Sequence, residues 1–209
     1  MKTVVMKLIV IGCLFFLFSG CSLTKASQIT VDSTSSTPGT SVTLRGESQK
    51  LIGTALEMGK PLPATILIDA STLKKMDLSQ LKGKVLLISL VPSIDTKVCE
   101  TQTHTLGEQG AALPAEVVRI TISRDTPFAQ KRFYEEAKLL NITFLSDYRD
   151  GSFGRATGLL IDDSMLLARA VIVADKEGVV RYIQVVPELS HLPDLETAFR
   201  KAKELANEK

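Results

Sequence analysis

Val85-Leu86-Leu87-Ile88-Ser89-Leu90-Val91-Pro92-Ser93-Ile94-Asp95-Thr96-Lys97-Val98-Cys99 is the stretch on which the fold turns. Its first seven residues are nearly all apolar, lie between Gly83 and Pro92, and are short enough for one strand. Apolar residues at successive positions predict a central parallel strand covered on both faces. Glu100 to Leu106 reads as a helix. Cys99 therefore falls where a loop from a strand's C-terminal end enters a helix, the usual place for chemistry in open α/β sheets. Backbone N–H groups at a helix start favour negative charge and so favour the thiolate there. Thr96 suits a hydroxyl at the cap of the turn beside the sulfur, and Pro92 closes the strand and stiffens the loop. Taken alone, a cysteine is more often a small buried hydrophobe than a nucleophile; its context argues for chemistry.

The chain of 209 residues is long enough for one domain with a substantial core. It opens with Lys2 and Lys7, an uncharged run from Leu8 to Phe18, then Ser19-Gly20-Cys21. That pattern is a signal peptide over residues 1–20, too short to span a membrane comfortably. Its end resembles a bacterial lipobox, which implies cleavage before Cys21 and a lipid on that residue; the alternative is an ordinary secretory signal cut nearby. Losing residues 1–20 removes two lysines and no acid, leaving 23 basic and 23 acidic residues. No basic excess points to nucleic acid. Of the three cysteines, Cys13 leaves with the signal and Cys21 would carry lipid, so Cys99 is the one free thiol. A disulfide framework, a Cys-x-x-Cys redox pair and a cysteine-rich metal site are all excluded.

Residues 21–39 are Ser/Thr-rich and read as a flexible tether, with the domain over 40–209. Val42–Arg45 and Leu51–Gly53 predict a small hairpin, Thr65–Ile68 and Val117–Ile122 strands, and Leu73–Leu81 an exposed helical turn. Thr126-Pro127 starts a helix running to Leu140. A short strand at Thr143–Ser146, a turn at Asp150-Gly151 and a short helix near Phe153 come next. Ala170–Ala174 and Val179–Val186 form a hairpin through Asp175–Gly178, and Leu195–Ala206 an amphipathic helix. Gly107 and Gly110 weaken the helix after Cys99, each by about 1 kcal/mol, so packing must hold it or it bends. Alternating strands and helices followed by a late antiparallel hairpin predict an α/β fold, a mixed sheet flanked by helices. His104 lies a turn and a half beyond Cys99 and is expected to point away; His191 is expected in a solvated loop. Asp147, Asp150, Asp162 and Asp163 read as turn and cap residues, not metal ligands, and no phosphate loop or other cofactor signature is present.

Pro92, Thr96 and Cys99 together form the P-x-x-x-T-x-x-C signature of peroxiredoxins, and the fuller Pro92–Cys99 sequence resembles the thiol peroxidase branch. Pro127-Phe128-Ala129-Gln130-x-Arg132-Phe133, Leu145–Arg149 and Ala168–Val171 resemble the same branch in the same order. The resemblance, over roughly Thr40 to Ala202, implies a thioredoxin-like fold with peroxiredoxin additions. It implies Cys99 as the peroxide-reacting thiolate and Arg169 as its positive partner, Thr96 hydrogen-bonding the bound peroxide, and Pro92 packing over the pocket. Many members of the branch carry a resolving cysteine after R-F; here Tyr134 stands there, which implies a one-cysteine cycle. The expected partners are a hydroperoxide, an external thiol reductant (a thioredoxin-like protein or a small thiol), a membrane through the lipid anchor, and a second copy in a homodimer. The competing function class is a non-catalytic surface lipoprotein that keeps the fold as a binding scaffold.

Overall fold

The computed structural model describes residues 28–208. The signal peptide over 1–20 and the lipidation at Cys21 fall outside the described residues. In chain order the elements are β1 (Val31–Asp32), β2 (Ser41–Leu44), β3 (Glu47–Ile52), β4 (Leu67–Asp69), β5 (Lys75–Met76) and β6 (Val85–Leu90). Next come α1 (Lys97–Glu108), β7 (Val117–Ser123), α2 (Pro127–Glu136), β8 (Thr143–Ser146), α3 (Ser152–Thr157) and β9 (Leu160–Ile161). The chain closes with β10 (Ala170–Ala174), β11 (Val180–Val185), β12 (Leu192–Pro193) and α4 (Leu195–Asn207).

The main sheet has the order β11-β10-β6-β7-β8-β4-β5. β6, β7 and β8 are parallel, while β10 runs antiparallel to both β6 and β11. Every residue of β6 is buried, as its unbroken apolar run requires. Successive side chains of a strand point to opposite faces. Accordingly Leu86, Ile88 and Leu90 enter one core with Ile120, Ile122 and Ile172. Val85 and Leu87 enter the other, where Leu195, Ala198, Ala202 and Leu205 of α4 cover them. The expected mixed sheet flanked by helices, with the β2–β3 hairpin before it, is the architecture observed.

Four local readings differ. The segment over 21–39 is not a free tether throughout: Val31 and Asp32 pair in parallel with Leu192 and Pro193, and Ser36 bridges Val185. Gln184 donates through Nε2 to the Asp32 and Thr34 carbonyls at 2.6 and 2.9 Å. In these contacts residues 31–36 take part through their backbone, which does not demand apolar side chains. Leu73–Leu81 is not an exposed helical turn. It holds the edge strand β5 and a single 3₁₀ turn, Leu78–Gln80, with Leu78 fully buried. α2 stops at Glu136, four residues short of Leu140, because Lys138 takes a left-handed φ of 57°. His191 is half-buried and faces Asp32 Oδ2 at 3.5 Å. Of the two weak glycines, Gly107 is held within α1, and Gly110 lies in the 3₁₀ turn over Gln109–Ala112 that follows it.

Several carboxylates tie turns together and set how stability responds to acid. Burial raises the Glu188 carboxyl, but hydrogen bonds from the Arg45 amide, Ser190 and the Gly46 amide outweigh it and hold the group at about 2, against an ordinary 4.5. Asp69 and Asp175 are likewise raised by burial and brought below the ordinary range by their hydrogen bonds. Asp147 runs the other way: burial dominates and pushes it up despite bonds from the Gly154 and Phe153 amides. A depressed carboxyl contributes stability that is present above its unfolded pKa and lost as pH falls through the folded one. We therefore expect urea-melt stability to decline from about pH 4.5 toward about 2, and Glu188→Gln to flatten that decline. An acid limb identical in the variant contradicts this.

Candidate active site

Cys99 lies in the first turn of α1, with Thr96 at the helix cap position. It is fully buried, grouped with Val91 and Ile94 and packed by Ala129 and Phe133. Asp125, just past β7, pins the loop leading to it: Ser93 Oγ donates to Oδ1 at 2.8 Å and the Ile94 amide to Oδ2 at 2.9 Å. Thr96 departs from the expected capping role. Its side chain makes no cap bond to the helix and instead donates to the Ser93 carbonyl at 3.2 Å. Thr96 is an exposed residue in the lining of the pocket beside the site.

Arg169 precedes β10 by one residue and is only 2 % exposed. β10 is paired to β6, so the end of β6 that launches the Cys99 loop lies beside the start of β10. Arg169 Nη2 comes to 3.4 Å from Cys99 Sγ across seventy residues of sequence. Nη1 donates to Gln102 Oε1 at 2.7 Å, and Nε and Nη2 both donate to the Leu189 carbonyl at 3.0 and 2.9 Å. The arginine ion pairs among the described residues belong to Arg132 and Arg181, not Arg169. Gln102 and the Leu189 carbonyl are neutral, so a buried guanidinium is left without a carboxylate. A buried charge is costly unless paired. The contacting group able to supply an anion is the Cys99 sulfur.

Gln102 fixes the geometry from the other side. It is fully buried and donates to Ser89 Oγ at 2.7 Å and to the Leu90 carbonyl at 3.3 Å. Sequence reasoning did not single it out, although its i+3 spacing from Cys99 places it on the same helix face. Leu189 was also missed, and no sequence signal could reveal it, because it acts through its carbonyl. His104 points away as expected and meets Glu108 Oε1 at 3.0 Å. A mostly apolar pocket of about 320 Å³ lies against the site, lined by Pro92, Thr96, Val98, Arg169, Leu44 and Leu189. Pro92, Thr96, Cys99 and Arg169 thus come together. Tyr134 does not join them: it packs in the second core, its ring 5.3 Å from that of Phe144. Among the described residues, no group of three His, Cys, Asp or Glu side chains could hold a metal ion.

A helix-start thiol beside a buried, uncompensated guanidinium, in a thioredoxin-like sheet, defines a class of thiol-based redox protein. Comparison with known proteins agrees. The Redoxin family pattern matches residues 57–199. A thiol peroxidase of Halalkalibacterium halodurans is 43% identical over 163 residues, 78% of this chain and 97% of that protein. The thiol peroxidase of Bacillus subtilis is 39% identical over 164 residues, 78% of this chain and 97% of its own. The crystal structure of a peroxiredoxin-like protein from Aquifex aeolicus superposes with a TM-score of 0.76 at 36% identity, covering 81% of this chain and 99% of that one. The chain belongs to the redoxin family, in the thiol peroxidase branch of the peroxiredoxins, and is an oxidoreductase of that type.

Proposed function

We propose that the protein reduces hydrogen peroxide and small organic hydroperoxides through a sulfenic acid on Cys99, in a one-cysteine cycle completed by an external thiol. The observation that carries this reading is the 3.4 Å approach of Arg169 Nη2 to Cys99 Sγ, both groups buried. The Cys99 thiolate attacks the terminal peroxide oxygen; the O–O bond breaks, the sulfur keeps the OH, and the other oxygen leaves as hydroxide or alkoxide and takes a proton. Arg169 stands where charge moves from sulfur to oxygen, the place where fixed donors accelerate reaction most. The hydroxyl of Thr96, in the pocket lining, is assigned to the bound peroxide, and Pro92 to shielding the sulfur from water. Reduction then takes two thiols: the first displaces water from the sulfenic acid to form a mixed disulfide, and the second releases Cys99 and a disulfide product.

The one-cysteine assignment is supported by Tyr134, which stands at the family's resolving position and cannot form a disulfide. A chain beginning at Ser22 should consume peroxide steadily with a small monothiol and form no internal disulfide. Peroxide loss no faster than with the monothiol alone sinks the reading. Tyr134 is then a packing residue: Tyr134→Phe should keep the turnover rate, and Tyr134→Ala should lower stability by about 3 kcal/mol. A Tyr134→Phe variant with severely reduced turnover, checked in the same assay, contradicts this.

The envelope location belongs to the same proposal. It is supported by the lipobox-like end of the leader and by the Ser/Thr-rich segment after Cys21. Labelled fatty acid should enter the full-length protein in bacterial cells and fail to enter Cys21→Ala; equal labelling of both rejects the anchor. A homodimer rests on the family resemblance alone, and light scattering tests it.

A further inference from the structure

We propose that Glu188 is a positioning residue for the peroxide reaction, acting through the Leu189 carbonyl on Arg169; this rests on the peroxidase reading above. Glu188 touches neither the sulfur nor the guanidinium. Its carboxylate gathers five hydrogen bonds from two separate pieces of chain. Oε1 accepts from the Arg45 amide at 2.9 Å, the Ser190 amide at 3.1 Å and Ser190 Oγ at 2.7 Å. Oε2 accepts from the Gly46 amide at 3.2 Å and Thr43 Oγ1 at 2.9 Å. The β2–β3 turn is thereby tied to the loop over 187–191.

That loop carries the Leu189 peptide, which is held on both sides. Its N–H donates to the Thr43 carbonyl at 2.8 Å, and its carbonyl receives Arg169 Nε and Nη2. Both pieces also line the pocket, through Leu44 and Arg45 on one and Leu189 and Ser190 on the other. Arg45 sits at a left-handed φ of 53°, which a side chain adopts at a cost of about 1 kcal/mol or more. With Gly46 at 84°, this conformation turns two successive amides toward one carboxylate. An anion at Glu188 therefore holds together a strained turn, a pocket wall and the carbonyl that aims Arg169. Displacing a reacting group by an ångström from its productive position costs about 100-fold in rate. Loosening the Leu189 carbonyl should cost part of that.

The test compares two single-turnover rates of Cys99 in the full domain: oxidation by hydrogen peroxide, which needs Arg169 aimed at the oxygens that exchange, and alkylation by iodoacetamide, which needs the thiolate and access to it but no donor aimed at a departing oxygen. In Glu188→Ala the ratio of peroxide to iodoacetamide rate constants should fall about tenfold. A ratio equal to that of the unchanged protein, even with a lowered melting temperature, overturns the proposal, because a purely structural role moves stability alone. Should Glu188→Ala not fold, Glu188→Gln decides by NMR. Its amide nitrogen cannot accept the Gly46 N–H, so the Arg169 Nε–H resonance should shift or broaden; that resonance unmoved beside shifted Arg45 and Gly46 amides overturns it. If the unchanged protein itself meets peroxide no faster than free cysteine, the peroxidase reading fails, a result visible before any variant is made.

Discussion

Replacing Cys99 by serine should reduce peroxide consumption to the uncatalysed background. Removal of a covalent nucleophile costs on the order of 10⁶ where it has been measured. A serine hydroxyl is not ionised at neutral pH, and its oxygen does not take oxygen from a peroxide. The substitution is nearly isosteric in a fully buried position, so the fold should survive. The variant should keep the melting temperature of the parent to within a few degrees while consuming no peroxide above buffer and thiol. Residual turnover at the parental rate would place the chemistry on another group.

The second large effect is expected at Arg169. Arg169→Lys retains the charge but loses the fork that reaches Gln102, Leu189 and the sulfur together. Lysine offers a compact ammonium on a flexible stem and cannot span that set in a fixed orientation. Loss of one preorganised donor at a developing charge costs about 100- to 1000-fold, and we expect a loss in that range for the rate of Cys99 with peroxide. Arg169→Leu should lose at least as much activity. Its stability carries a separate expectation. It removes a buried charge that lacks a carboxylate, but strands the buried Gln102 Oε1 and Leu189 carbonyl. An unsatisfied buried acceptor costs about 1–3 kcal/mol, which offsets the gain. Stopped-flow oxidation and urea melts measure the two effects independently. A lysine variant reacting as fast as the parent would remove Arg169 from the mechanism.

The route from sequence to site was uneven, for physical reasons. β6 was legible because both its faces are buried, and that leaves an apolar run with no polar interruption beyond Ser89. The hairpin β10–β11 was legible from its Asp175–Gly178 turn. Arg169 was not legible from periodicity. It stands one residue outside β10, where a surface arginine would look the same, and only the resemblance singled it out. Gln102 could have been found from its i+3 spacing, but a glutamine carries no chemistry of its own to draw the eye. Asp125, Leu189 and Glu188 act through amides and carbonyls brought together by the sheet, and no local pattern encodes that. The misread tether has the same cause: Val31 and Asp32 join β12 through backbone bonds, which polar sequence neither announces nor forbids. The early end of α2 lacks the Gly or Pro stop that sequence reading depends on; Lys138 supplies the left-handed residue instead.

In the proposed reaction a single sulfur, faced by one buried guanidinium, takes the peroxide oxygen. Intact-mass analysis after one equivalent of hydrogen peroxide in the presence of dimedone tests it most directly. One dimedone adduct, mapped to Cys99, is expected in the parent protein, and little or none in Arg169→Lys over the same interval. A parent protein that stays unlabelled, or labelling that proceeds equally without Arg169, would contradict it.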